Sequence, residues 1–156
     1  MLVGAAALEA QNRGTAEATI GGHKLAIEYG RPKLAGRDMV ASLEVGAVWR
    51  MGMNQATSLT TAARLSFGKV HVAAGDYTLF LRRSGEDTWE LLVNSQTGQW
   101  GNRRDPANDV AAIPLQLKKV EENVEAFTIK LSSKGSGGML ELAWGRHRLN
   151  TDFTTS

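Results

Sequence analysis

The sequence predicts an all-β protein, an antiparallel β-sandwich or a jelly-roll-like barrel of about nine to ten short strands with one or two short helical turns. Three observations carry this reading. From Thr15 onward apolar and polar residues mostly alternate, which puts one face of a strand in a core and the other in water. Glycine-containing turn signals recur at short spacing. Sustained helical periodicity is almost absent.

The elements follow in order. Ala16–Ile20 alternates small apolar with polar residues. Gly21-Gly22 is a hairpin turn into Lys24–Tyr29, where Leu25, Ile27 and Tyr29 share a face. Gly30–Arg37 breaks the pattern, and Asp38 caps a short helix through Leu43. Val45–Gln55 is irregular. Strands resume with Leu59–Phe67. Gly68-Lys69 turns the chain into Val70–Ala73, Ala74–Asp76 into Tyr77–Leu81, and Ser84–Asp87 into Thr88–Asn94. Turns this tight predict an antiparallel meander. Ser95–Asn108 is a loop in which Asp105 caps one helical turn begun by Pro106. Val110–Val120 is a strand with Pro114 at an edge or bulge. Val124–Ser132 is the next, and Gly135–Gly138 turns into a last hairpin of Met139–Trp144 and Arg148–Phe153.

The chain of 156 residues makes one domain, residues 15–156, after an N-terminal segment, residues 1–14. A chain of this size buries about 70% of its unfolded surface and needs no staples. With 42% apolar and 22% charged residues it is neither collagen, coiled coil, disordered chain nor multispan membrane protein. No linker and no long repeat divides it.

The formal net charge is +2, too small for the basic stripe that nucleic acid needs. Arg82-Arg83, Arg103-Arg104, Lys118-Lys119 and Arg146-His147-Arg148 read as solvated faces or turns, so no nucleic-acid partner is expected. Without cysteine there is no disulfide, thiolate nucleophile or Cys-bound metal. Leu2–Leu8 is a short apolar run, and Leu8-Glu-Ala10 ends it on a small residue. The pair reads as the end of a signal peptide and its cleavage site, or else as a short N-terminal helix. No apolar stretch is long enough to span a membrane as a helix.

Several segments carry a family resemblance. They are Tyr29-Gly-Arg-Pro32 with Gly36-Arg37, Val48-Trp-Arg-Met-Gly-Met-Asn-Gln-Ala-Thr57 and Ala74-Gly-Asp-Tyr-Thr-Leu-Phe80. Asn94, Gly98-Gln-Trp-Gly101, Asp105-Pro-Ala-Asn-Asp109 and Leu140-Glu-Leu-Ala-Trp144 follow. From Ile20 to Phe153 the chain resembles a bacterial family of domains of unknown function, number 2911. The resemblance implies an exported or envelope-anchored protein, hence an extracytoplasmic (periplasmic or secreted) location, and brings no activity with it. Two positions depart from the family's usual pattern. Gly52-Met-Asn-Gln-Ala-Thr57 stands where members read Gly-Ala-Asn-Glu-Ala-Thr, and Gln55 cannot act as a base. Gly30 stands where many members have Ser.

The candidate binding residues are Arg31, Arg37, Trp49, Arg50, Asn54 and Trp100, all in irregular segments, where rigid sandwiches carry their binding loops. Arg presents a fork that pairs carboxylate or phosphate, Asn adds donors and an acceptor, and Trp offers a flat face to sugars. Such a set suits a saccharide or an anionic small molecule. The same residues also suit a scaffold role, with Arg and Asn bonding loop carbonyls, Trp49 and Trp100 plugging the sandwich, and Glu28 and Asp38 pairing the arginines.

Other chemistry has less to stand on. His23, His71 and His147 are far apart, and Asp105, Asp109, Asn102 and Asn108 lack the EF-hand spacing, so no metal or cofactor is expected. There is no Gly-x-Ser-x-Gly elbow, phosphate loop or dinucleotide fingerprint. The leading expectation is an exported, non-catalytic binding domain. A second is a hydrolase of envelope saccharides or esters, with Asn54 orienting, Arg50 clamping, and Glu28 or Asp38 as acid or base. A third is a structural envelope protein that self-associates through Leu2–Leu8 and the strand Val110–Leu117.

Overall fold

A computed structural model describes residues 13–156. The stretch Leu2–Leu8, with its reading as signal peptide or helix, lies outside the described residues. Ten antiparallel strands make up one continuous sheet that is not closed into a barrel. The strands are β1 Arg13–Ile20, β2 His23–Gly30, β3 Val48–Trp49, β4 Thr57–Thr61 and β5 Leu65–Phe67. They continue as β6 Val70–Val72, β7 Gly75–Arg83, β8 Trp89–Asn94, β9 Asp109–Lys134 and β10 Gly137–Thr155. Their order is β1-β2-β4-β7-β8-β9-β10-β5-β6, with β3 beside β7. One 3-10 turn, Pro106–Asn108, stands where the sequence predicts it, with Asp105 as its N-cap. At Asp38 the helix shrinks to a turn, in which the Ala41 N–H donates to Asp38 Oδ1 at 3.0 Å.

The first hairpin forms as the sequence dictates. Gly21 and Gly22 take φ of 58° and 82°, the left-handed pair that a two-residue hairpin turn requires. This locks Ile20 opposite His23 and Leu25 opposite Ala18.

Three parts of the reading need correction. The single strand expected over Leu59–Phe67 is two. Thr61 Oγ1 donates to Ala63 O at 2.8 Å and accepts its N–H at 3.2 Å, turning the chain out of β4. β5 and β6 then pair with each other at the β10 end of the sheet, and β6 does not pair with β7. The meander is therefore interrupted at Ala73–Ala74. Second, Val110–Val120 and Val124–Ser132 are one strand, the 26-residue β9. Third, Met139–Trp144 and Arg148–Phe153 are not partners of each other, because both run along β9. The register shifts at Gly145, whose φ is 61°, so the turn expected between them is a bulge. The β9–β10 ribbon still bends back far enough that a Cβ on Gly138 would lie 2.6 Å from Phe153 Cζ.

The folded-back ribbon makes the second layer. Leu131 and Leu140 pack towards Leu25, Leu59 and Leu91 of the main sheet. Phe127 sits among Tyr29, Trp49 and Trp144, at centroid distances of 5.7, 4.9 and 5.6 Å. His147 and Arg148, read from sequence as solvated, are buried.

Candidate functional site

The central strands are covered on both faces. Leu79 and Leu81 of β7 face the core, so Phe80 faces outward, yet Phe80 and its neighbour Leu92 are buried. Residues 95–108 provide the cover. Asn94, fully buried, is the hub of this loop. Its Nδ2 donates to Asp105 O at 3.0 Å and to Asp109 Oδ1 at 2.8 Å, and its Oδ1 accepts the Gln96 N–H at 2.8 Å. Thr78 Oγ1 donates to Gln96 O at 2.6 Å, fastening the loop to β7. Arg104 pairs with Asp109 through Nη2 and holds its Cζ 5.8 Å from the Phe80 ring centroid.

The segment between β3 and β4 is stitched to this loop. Met51 and Asn54 take φ of 55° and 61°, a region that costs an L-residue about 1–2 kcal/mol and that Asn tolerates best. Surrounding bonds impose it. Thr57 Oγ1 donates to Met51 O at 2.7 Å, the Gly101 N–H to Asn54 O at 3.0 Å, and the Ala56 N–H to Gln99 O at 3.2 Å. Gln55 and Trp100 add a β-bridge. Strain held this firmly is typical of sites whose shape matters.

Between the two segments lies an open cleft of about 410 Å³, walled by Trp49, Arg50, Phe80, Gly101, Asn102 and Arg104. The stem of Arg50 lies on Gly101, where a Cβ would come within 2.8 Å of Arg50 Cδ. The Arg50 guanidinium makes no hydrogen bond among the described residues, whereas that of Arg104 is engaged by Asp109.

The six residues singled out from sequence separate into groups. Trp49 and Arg50 line the cleft. Trp49 also stacks on Trp144, with centroids 5.1 Å apart and an interplanar angle of 15°. Asn54 and Trp100 adjoin the cleft through their backbones, with exposed side chains. Arg31 is elsewhere, donating from Nε to Phe127 O at 3.1 Å and from Nη2 to Thr128 Oγ1 at 3.0 Å, which pins the end of β2 to β9. Arg37 is exposed on the loop after β2 and does not line the cleft.

Phe80, Asn102 and Arg104 complete the wall and were not among those six. Phe80 had a signal in the consecutive apolar run Leu79–Leu81 opposite Leu91–Val93, the mark of strands covered on both faces, whereas Asn102 and Arg104 had none. Glu28 is exposed on β2, and Asp38 bonds His147, so neither carboxylate lines the cleft. Among the described residues no group of three or more His, Asp or Glu gathers to hold a metal ion.

The model of a family described as "Protein of unknown function (DUF2911)" matches residues 11–153. The chain belongs to the DUF2911 family. No curated protein and no solved structure matches it. The stitched segments, residues 48–57 and 94–109, hold some of the motifs on which the resemblance to DUF2911 rests. At Gly30 a Cβ would lie 2.5 Å from both Met53 Cγ and Met53 O.

Proposed function

We propose that this chain is an exported, non-catalytic binding domain that takes a carboxylate-bearing small molecule, such as an acidic saccharide, in the cleft beside Trp49. One observation supports it above the rest. Arg50 presents a guanidinium without a partner among the described residues, in a preformed cleft where the neighbouring Arg104 is already neutralised. A bidentate carboxylate would match the fork of Arg50. Asn102 adds amide donors, and Trp49 gives the cleft an apolar wall for sugar C–H groups. The extracytoplasmic location rests on Leu2–Leu8 with Ala10 and on the family resemblance.

Calorimetric titration with galacturonate and with galactose tests the reading. Galacturonate is expected to bind, galactose far more weakly, and added salt to weaken the difference. Arg50→Met keeps the stem over Gly101 and is expected to lower galacturonate affinity about ten- to hundredfold. Equal binding of both sugars, or an unchanged affinity in Arg50→Met, would overturn it.

A further inference from the structure

Residues 100–103 close a turn in which the Arg103 N–H donates to Trp100 O at 3.0 Å. Its two middle residues, Gly101 and Asn102, line the Arg50 cleft. Its two ends do not, and both stand in solvent. Trp100 is 55% exposed, and Arg103 is exposed as well. A four-residue turn holds its end Cα atoms within about 7 Å, so the indole and the arginine rise from neighbouring points beside the cleft.

The backbone under Trp100 is fixed. It is bridged to Gln55, and on either side the Ala56 N–H donates to Gln99 O at 3.2 Å and the Gly101 N–H to Asn54 O at 3.0 Å. A large apolar ring carried in water on such a support suits a stacking platform, since the backbone is already ordered before a flat partner lands on it. Arginines surround it. Arg13 Nη1 reaches Gln55 O at 3.4 Å, Arg103 stands at the far end of the turn, and Arg50 lies on Gly101 within it. None of the three forms a salt bridge among the described residues. The carboxylates that follow in the loop are engaged. Asp105 accepts the Ala107 N–H at 3.0 Å, and Asp109 holds Arg104.

We propose that the cleft and this turn together hold a chain of uronic acid units, an acidic polysaccharide rather than a single sugar. The proposal rests on the reading of the Arg50 cleft and extends it. Arg50 takes the carboxylate of the unit in the cleft, Trp100 takes the C–H face of a neighbouring unit, and Arg103 and Arg13 take carboxylates further along. The cleft is open, so a chain can leave it. Nucleic acid is the poorer match, because a formal net charge of +2 provides no long basic stripe.

Calorimetric titration with galacturonate and with its linear pentamer tests this. The pentamer is expected to bind about a hundredfold tighter, well beyond the roughly fivefold that five equivalent units give by number alone. The readout is the ratio of the two affinities. Trp100→Ala and Arg103→Gln are each expected to reduce that ratio about tenfold, whereas a substitution that merely loosened the turn would weaken both ligands alike. Three results would overturn the proposal: a ratio of no more than about fivefold, a ratio that neither substitution changes, or a thymidine pentanucleotide that binds as tightly as the sugar pentamer. After any of these the cleft reading stands as long as galacturonate binding still depends on Arg50. If neither sugar binds, both fall.

Discussion

Gly30 and Met53 behave as one unit. Glycine at position 30 leaves the space that Met53 occupies. A Cβ on Gly30 would lie 2.5 Å from Met53 Cγ and 2.7 Å from Met53 N, so side chain and backbone both block it. Gly30→Ser is therefore expected to cost about 1–3 kcal/mol by overpacking, read from urea unfolding. Met53→Ala clears only the side-chain part of the clash. The double variant is expected to be less destabilised than Gly30→Ser alone, a coupling that a double-mutant cycle measures directly.

Asp38 makes a prediction of a different kind. Burial raises its carboxyl, but the hydrogen bond with His147, the Ala41 N–H and the charges of His147 and Lys119 outweigh it. The net direction is below the ordinary value of 3.8. A depressed folded value means stability that is present above 3.8 and lost as pH falls through the folded value. The Asp38 side chain is 52% exposed, so solvent screens the contribution and the effect is small. Thermal melts at stepped acid pH are expected to show a steeper fall below that range in the parent chain than in Asp38→Asn. Parallel curves would remove Asp38 from the acid response.

Among elements, the legible ones were those closed by local chemistry. Gly21-Gly22 set the first hairpin, and Asp105 with Pro106 set the 3-10 turn, because each needs only its own neighbours. Trp49 and Arg50 were legible for a related reason, since charged and aromatic residues in a broken pattern stand out. The elements misread were those decided by distant partners. The polar run Glu121-Glu122-Asn123 reads as a turn, and so does Gly145-Arg146. Both are bulges in one bent ribbon, visible only once β9 and β10 are paired. The arginines could not be sorted at all, because Arg31 spends its fork on strand β9, about a hundred residues away, and Arg50 does not.

The bulge itself depends on Arg148. Its Nη1 donates to Gly145 O and His147 O, and its Nη2 to Glu122 O, each at 3.0 Å. Removing it orphans carbonyls in a buried setting, which costs about 1–3 kcal/mol. Arg148→Met is expected to lose at least that much and to lose amide-exchange protection over residues 119–124. Arg148→Lys is expected to restore little, because an ammonium cannot span the carbonyls as a planar fork does. Full stability in Arg148→Lys would show that charge alone holds the bulge.

At the scale of the whole molecule, the sheet and its folded-back ribbon share one core. Phe127 on β9 meets Tyr29 on β2, Trp49 on β3 and Trp144 on β10, so four separated parts of the chain converge on one ring. The core cluster runs from Ala16 to Phe153 without a break at any candidate boundary. A molecule built this way is expected to unfold as one unit. Urea unfolding followed by tryptophan fluorescence, which the stacked pair Trp49 and Trp144 shares with Trp89 and Trp100, and by far-ultraviolet dichroism, which reports the sheet, should give one coincident transition. Phe127→Ala is expected to shift both midpoints together by about 3–5 kcal/mol of lost stability with the slope unchanged. If fluorescence falls first and the sheet signal stays, the aromatic end opens separately. The turn over Asp38–Leu43, which lies against Trp49 and Trp144, would then be the part that moves.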